Sequence, residues 1–249
     1  MKEVQEKKIL EILQRKEYAT VEELATLTSA SPSTIRRALN SLQTKNLITR
    51  THGGAKIHKE NNVSPSFTFR FHQNSFEKKK MALSAIKLIK DGDIVFLDGS
   101  TSAYYIAEYL NEFKEVKVIT NGIDTLSLLS KNNITAYSTG GQVSCVNPSV
   151  LVGRYAENTI ENFYADIAFF SAQALDKSGE IYDCFEEENF LRRAMLNNAK
   201  RKIFLCDSTK LAKTSPYHLC SIKDVDCIVS NASLSEISHT DTVQQIITD

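Results

Sequence analysis

Six times between residues 94 and 231, a short run of apolar residues ends abruptly in small, polar or glycine residues. Ile94-Val95-Phe96-Leu97 runs into Asp98-Gly99-Ser100-Thr101-Ser102, and Val116-Lys117-Val118-Ile119 into Thr120-Asn121-Gly122. Residues 134–138 run into Thr139-Gly140-Gly141, and residues 165–170 into Ser171-Ala172-Gln173. Ile203-Phe204-Leu205-Cys206 meets Asp207-Ser208-Thr209-Lys210, and Cys227-Ile228-Val229 meets Ser230-Asn231. Strands this short and this apolar suit a parallel sheet covered on both faces. Helical spacing at 103–110 and 124–129, and earlier at Met81, Ala82, Ala85, Ile86 and Ile89, completes a strand–helix alternation. That alternation is the mark of an α/β fold.

In such a sheet, ligands sit beyond the carboxyl ends of the strands. Ser100, Thr101 and Ser102 combine hydroxyls with the N–H groups of a helix start, a natural seat for phosphate, beside Gly99. Lys210 adds a cation for the same anion, while Asp98 and Asp207 suit sugar hydroxyls, from which carboxylates accept hydrogen bonds. Thr120, Asn121, Gly141 and Gln173 occupy other strand ends and extend the candidate site. Cys206 and Cys227 read as core, and Glu186-Glu187-Glu188 as a solvated helix start. His72, His218 and His239 show no metal-ligand spacing, so neither a metal nor a cofactor is expected.

The first 60 residues are different. They hold 11 Lys/Arg against 7 Asp/Glu in a chain whose totals are 30 and 30, and no carboxylate occurs from Leu24 to Lys59. A basic segment beside an acidic remainder points to a polyanion partner. Ile9, Leu10, Ile12 and Leu13 give a first helix. Tyr18 and Ala19 break it. Thr20 with Glu23 forms a capping box that opens a second helix, with Val21, Leu24, Ala25 and Leu27 on its apolar side. Ser31 and Pro32 then fit the N-cap and first turn of a third helix. Ile35, Ala38, Leu39 and Leu42 make its buried face, and Ser33, Arg36, Arg37 and Asn40 a polar face without an acid, beside Thr34. Such groups read base edges or hold phosphates.

Residues 47–50, His52-Gly53-Gly54 and Ala55-Lys56-Ile57 read as a β-hairpin appended to the three helices, which makes a winged helix-turn-helix. Lys45 follows the third helix, and Arg50, His52, Gly53 and Lys56 lie on or near the wing, close to phosphates or a minor groove. The hinge from 58 to 75 carries Asn61-Asn62 and Pro65. Its alternating Phe67, Phe69 and Phe71 make either a short strand or a packing segment.

At 42% apolar and 24% charged, the chain is not built for disorder. No run approaches the roughly 18 apolar residues of a membrane helix, and the first residues lack the apolar core of a secretory signal. Five cysteines without a C-x-x-C pair fit a reducing cytosol and argue against a disulfide framework.

These residues resemble a known family. Ile9-Leu10 with Leu13, residues 21–25, Ser33-Thr34-Ile35-Arg36-Arg37 and residues 47–55 are similar to the DNA-binding domain of DeoR-family bacterial transcription regulators. Ala38 stands where the family usually has an Asp. Residues 97–101, 118–121, Gly140-Gly141, Gly153, 166–169, Glu188 with Arg193-Ala194-Met195, and 207–210 are similar to the family's effector domain. That domain is similar in fold to ribose-5-phosphate isomerase and coenzyme A transferases. Ser171-Ala172-Gln173-Ala174 replaces a more glycine-rich stretch, and Arg192 the more usual lysine. The resemblance implies a phosphorylated sugar effector, with Asp98, Ser100, Thr101, Lys210 and Glu188 in its site, and a homo-oligomer, dimer or tetramer.

The expected architecture is therefore a winged helix-turn-helix domain at 1–57, a linker at 58–75, and a sugar-phosphate-sensing, oligomerising α/β domain at 76–249. The expected protein is a cytoplasmic, non-enzymatic repressor of a carbohydrate operon that binds double-stranded operator DNA and no membrane. Two rivals remain. Asp98, Glu188 and Lys210 can also be read as acid, base and phosphate anchor of a sugar-phosphate isomerase. The N-terminal part can be read as an RNA-binding or protein-docking module, although it lacks an aromatic stacking platform.

Overall fold

The computed structural model describes residues 2–16, 18–44, 47–51, 53–57 and 67–248. The chain divides into two compact units, Met1–Gln73 and Asn74–Asp249.

In the first unit, helix α1 (Lys2–Lys16) buries Ile9, Leu10 and Leu13. A short strand β1 (Tyr18–Thr20) leads directly into α2 (Val21–Thr28). The expected capping box is present: Thr20 Oγ1 accepts the Glu23 N–H at 3.1 Å, and Glu23 Oε2 accepts the Thr20 N–H at 2.9 Å. Helix α3 (Pro32–Thr44) buries Ile35, Ala38, Leu39 and Leu42 in one cluster with Ile9, Leu13 and Leu24. Each large aliphatic chain withdrawn there contributes roughly 1.5–3 kcal/mol.

Strands β2 (Ile48–Thr51) and β3 (Gly54–Ile57) form the expected hairpin, with Gly53 at φ 85° in its turn. The sheet has a third member that the sequence reading missed. β1 pairs antiparallel with the far side of β3, so the order is β1-β3-β2. Three residues with one inward side chain, Ala19, are too few to show alternation. Within the expected 58–75 linker, residues 58–66 lie outside the described residues. Phe67–His72 is helix α4, not a strand. Phe67 and Phe71, one turn apart, bring their ring centroids to 6.4 Å, and Phe69 packs against the unit's core.

The second unit begins with α5 (Ser75–Ala85), followed by β4 (Ile94–Leu97), α6 (Thr101–Ala107), β5 (Lys117–Thr120), α7 (Ile123–Lys131) and β6 (Thr135–Ser138). A small hairpin, β7 (Gln142–Val143) with β8 (Leu151–Val152), leads to α8 (Arg154–Glu161) and β9 (Ile167–Phe170). Then come β10 (Ala174–Leu175), β11 (Glu180–Asp183), α9 (Glu186–Asn197), β12 (Lys202–Cys206), β13 (Tyr217–Ser221), β14 (Cys227–Ser230) and β15 (Gln244–Ile247).

Seven strands form one parallel sheet in the order β15-β14-β12-β9-β4-β5-β6. Phe96, Ile119, Phe170, Phe204 and Ile228 pack in its core. The chain runs outward from β4 to β6, then returns to the other side of β4 and runs outward again. The topological switch thus lies between β4 and β9, where open α/β sheets form their ligand crevice. β10, β11 and β13 make a separate antiparallel sheet. No helix among the described residues is long and apolar enough to cross a membrane.

Candidate functional site

The third helix keeps its two faces apart. Ser31, Ser33, Arg36, Arg37 and Asn40 are exposed and Thr34 half-exposed, opposite the buried apolar stripe. Ser31 caps the helix: its Oγ accepts the Thr34 N–H at 3.2 Å and lies 2.8 Å from Ser33 Oγ and 2.9 Å from Thr34 Oγ1. Arg37 Nε reaches back to the Ser33 carbonyl at 3.5 Å. Arg36 makes no hydrogen bond or ion pair among the described residues. Lys56 is exposed on β3, and Arg50 on β2 donates from Nη1 to Asn40 Oδ1 at 2.5 Å. Gly53 is exposed at the hairpin turn. Lys45 and His52, also expected at this surface, lie outside the described residues. Cationic, hydroxyl and amide groups thus share a helix face and an adjoining wing, a surface suited to phosphates and base edges.

The polar centre of the second unit sits at the topological switch. Asp98 follows β4 and is 1% exposed. Its Oδ1 accepts the Ser100 N–H at 3.1 Å, and its Oδ2 accepts the Ser171 N–H at 3.1 Å and Arg192 Nε at 2.8 Å. Arg192, buried on α9, also reaches Glu188 Oε2 at 2.8 Å and Asp183 Oδ2 at 3.0 Å. Asn147 Nδ2 donates to the other Glu188 oxygen at 2.8 Å. Burial works against the Arg192 charge, but Asp183, Glu188 and Asp98 outweigh it and raise its pKa. Glu188 is therefore a correction to the expected solvated helix start. Glu186 and Glu187 are exposed, while Glu188 turns inward because Arg192, one turn on, is buried with it.

Lys210 and Asp207 stand 3.8 Å apart beside this cluster. Lys210 Nζ donates to Ser171 Oγ, which donates onward to the Leu205 carbonyl at 2.6 Å. Burial pushes the Asp207 carboxyl up, but Lys210, the Thr209 donors and Lys78 hold it below the usual carboxylate range. Ser100 caps α6, its Oγ accepting the Ala103 N–H at 3.1 Å. Gly99 is required by space, since a Cβ there would meet Val150 Cγ1 at 2.3 Å.

Thr120 Oγ1 accepts the Gly122 N–H at 3.0 Å, and Asn121 Nδ2 donates to the Leu151 carbonyl at 3.1 Å. Ser102 and Thr101 are buried at the first turn of α6. Ser102 Oγ, Asn121 Oδ1 and Thr125 Oγ1 are buried without a hydrogen-bond partner among the described residues. The remaining candidates lie further out. Gly141, at φ 96°, packs its backbone against α8 from the turn before β7, and the exposed Gln173 donates its backbone N–H to the Tyr182 carbonyl at 3.1 Å.

Asp183, Asn147 and Ser171 belong to the cluster and were not among the candidates. Asp183 ends a strand whose alternation of Glu180, Ile181, Tyr182 and Asp183 was the available signal. The Glu188–Arg192 spacing of four, on the side of α9 that also buries Leu191 and Met195, was the other. Among the described residues no group of three or more His, Cys, Asp or Glu side chains is placed to hold a metal.

Two family models match. The DeoR-like helix-turn-helix domain covers residues 6–61, and the DeoR C terminal sensor domain covers residues 73–232. The L-fucose operon activator of Haemophilus influenzae is 32% identical over 229 residues, 92% of this chain and 91% of that protein. The HTH-type transcriptional repressor GlcR of Bacillus subtilis is 31% identical over 246 residues, 97% and 94% of the two chains. Among solved structures, ribose 5-phosphate isomerase A of Methanocaldococcus jannaschii aligns with a TM-score of 0.43 at 20% identity, covering 56% of this chain and 55% of its own.

Proposed function

Because the chain belongs to the DeoR family of DNA-binding transcription regulators, we propose that it represses a carbohydrate operon in the cytoplasm and is released from it by a phosphorylated sugar. The observation that carries the reading is the acid-free polar face of α3, set opposite its buried stripe and flanked by the wing. Ser33, Arg36, Arg37 and Asn40 face base edges in the major groove, while Ser31, Thr34, Lys45, His52, the Gly53 turn and Lys56 lie against the backbone. The second unit associates with its copies, as a dimer or tetramer, and presents paired winged helices to repeated half-sites. Duplex DNA, the sugar phosphate and other copies of the chain are its partners.

The sensing site is the crevice between β4 and β9. By formal charge its centre holds Asp98, Asp183, Glu188 and Asp207 against Arg192, Lys210 and the neighbouring Lys78. A negative centre suits the hydroxyls of a sugar and repels its phosphate. The phosphate therefore lies to one side, at the first turn of α6 with Ser100, Thr101, Ser102 and Lys210. Gly99, Thr120 and Asn121 border that side, with Gly141 and Gln173 further out. The ligand shifts DNA affinity only as far as it prefers one arrangement of the assembly.

An isomerase reading is less well supported, because its acid and base candidates, Asp98 and Glu188, are both ion-paired to Arg192. The test is a gel-shift titration on a duplex enriched from a random pool by the full-length chain. A set of sugar phosphates is added, and an aldose–ketose assay runs in parallel. One of the set should weaken DNA binding without being turned over. If none alters affinity the switch fails, and turnover well above background reverses the assignment. Lys56→Ala should lower the slope of log K against log salt by about one phosphate contact.

A further inference from the structure

We propose that Arg50 is a positioning residue for base readout: from the wing it holds the Asn40 amide of α3 in one orientation, with the NH2 group turned outward as donor. The inference rests on the DNA-contact reading above and deepens it. Arg50 Nη1 donates to Asn40 Oδ1 at 2.5 Å, linking wing and helix across ten residues. A guanidinium carries donors only, so the oxygen of the amide must face it and the nitrogen must point away. An exposed asparagine without such a tie rotates about its broad terminal torsion and offers either end to a partner. Here the direction is set before DNA arrives.

The tie also separates Arg50 from its basic neighbours. Arg36 and Lys56 are exposed, whereas Arg50 is half-buried and engaged by an amide on the groove-facing side of α3. Nothing comparable holds Arg36 among the described residues. Asn40 shares its face with Ser33, Arg36 and Arg37, so its outward NH2 is directed where base edges would lie. A donor at that place recognises acceptor edges, namely purine N7, guanine O6 or thymine O4, and not the amino group of cytosine.

The probe is the duplex that the wild-type full-length chain enriches from a randomised pool. N40A and R50A should each lower its affinity roughly 5- to 150-fold, the range of one base contact. Both should flatten base preference at the same position. The double variant should lose no more than the weaker single, because the two side chains act as one unit. R50A should keep the wild-type salt slope. N40D keeps an acceptor for Arg50 and removes the donor, so it should move the preference at that position towards cytosine. The move should vanish in N40D/R50A. Melting curves matching the wild type establish that each variant is folded.

If R50A lowers the salt slope by about one with base preference intact, Arg50 is a phosphate contact and the proposal is overturned. Multiplying losses in the double variant, or preference lost at different positions, overturn it equally. A wild-type chain that enriches no sequence at all removes the underlying DNA-contact reading and this proposal with it, and that result is distinct from both others.

Discussion

Arg36 on α3 and Arg192 on α9 are both helical arginines, and their surroundings are opposite. Arg36 is exposed and makes no ion pair among the described residues. Arg192 is 4% exposed and ion-paired with Asp98, Asp183 and Glu188, drawn from two strand ends and its own helix. The polar face of α3 leaves the Arg36 charge without an ion pair among the described residues, open to a polyanion. Arg192 commits its charge internally, and a ligand must compete with or build around bonds already made. A surface that waits for a polyanion tolerates loss of a charge; a buried network does not.

The largest expected effect tests that difference directly. Arg192→Ala leaves three carboxylates buried without their cation, and breaking a buried pair in this way costs about 3–5 kcal/mol. Urea unfolding of the full-length chain should show the loss in the transition of the second unit. Arg36→Ala should leave that transition within about 0.5 kcal/mol of wild type. Equal midpoints for the two variants would erase the contrast.

The next effect reverses the roles. Arg36→Ala or Arg37→Ala should each reduce affinity for the enriched duplex by about 1–3 kcal/mol. Binding that survives both changes undiminished removes α3 as the reading face. Smaller again, Thr20→Ala deletes the α2 cap and should cost about 1 kcal/mol, confined to the first unit. Its melting, followed separately by proteolysis within residues 1–73, checks the confinement.

The smallest effect concerns acid. Asp207 is held below the ordinary value of 3.8, against burial, by Lys210, the Thr209 donors and Lys78. As the pH falls the unfolded chain takes up this proton first. The stabilisation is therefore complete above 3.8 and is lost as the pH drops through the folded value below it. Asp207→Asn should flatten that part of the acid limb of the second unit's stability curve. An unchanged limb would show that the carboxylate gains nothing from its neighbours.

What the sequence made readable follows the same division. The two faces of α3 repeat every three or four residues, so a surface for DNA is written in local order. The apolar runs ending in Asp98, Ser171 and Asp207 mark the strand ends for the same reason. The Arg192 network is not local: Arg192 and Asp98 stand 94 residues apart, and Asn147 and Glu188 are 41 apart. Packing of α9 against β9 at the sheet's switch and against β8 of the small hairpin brings them together. Helix α8 escaped reading because its apolar side is thin, with Ala156 and Ile160 buried and Tyr155 at the surface. The phenylalanines at 67, 69 and 71 suggested alternation, yet a helix places the first and last of them one above the other.

Strand β1 gives the first unit a further property. It hydrogen-bonds to β3 along Tyr18–Thr20, and its last residue is also the cap of α2. The Val21 N–H, at the head of that helix, donates at 2.9 Å to the carbonyl of Gly53 in the hairpin turn. The wing is thus tied to the helical frame at its base and at its tip, and both ties resist a swing. A head braced in this way favours one opening, and the bending that a duplex needs in order to fit it adds to what is discriminated.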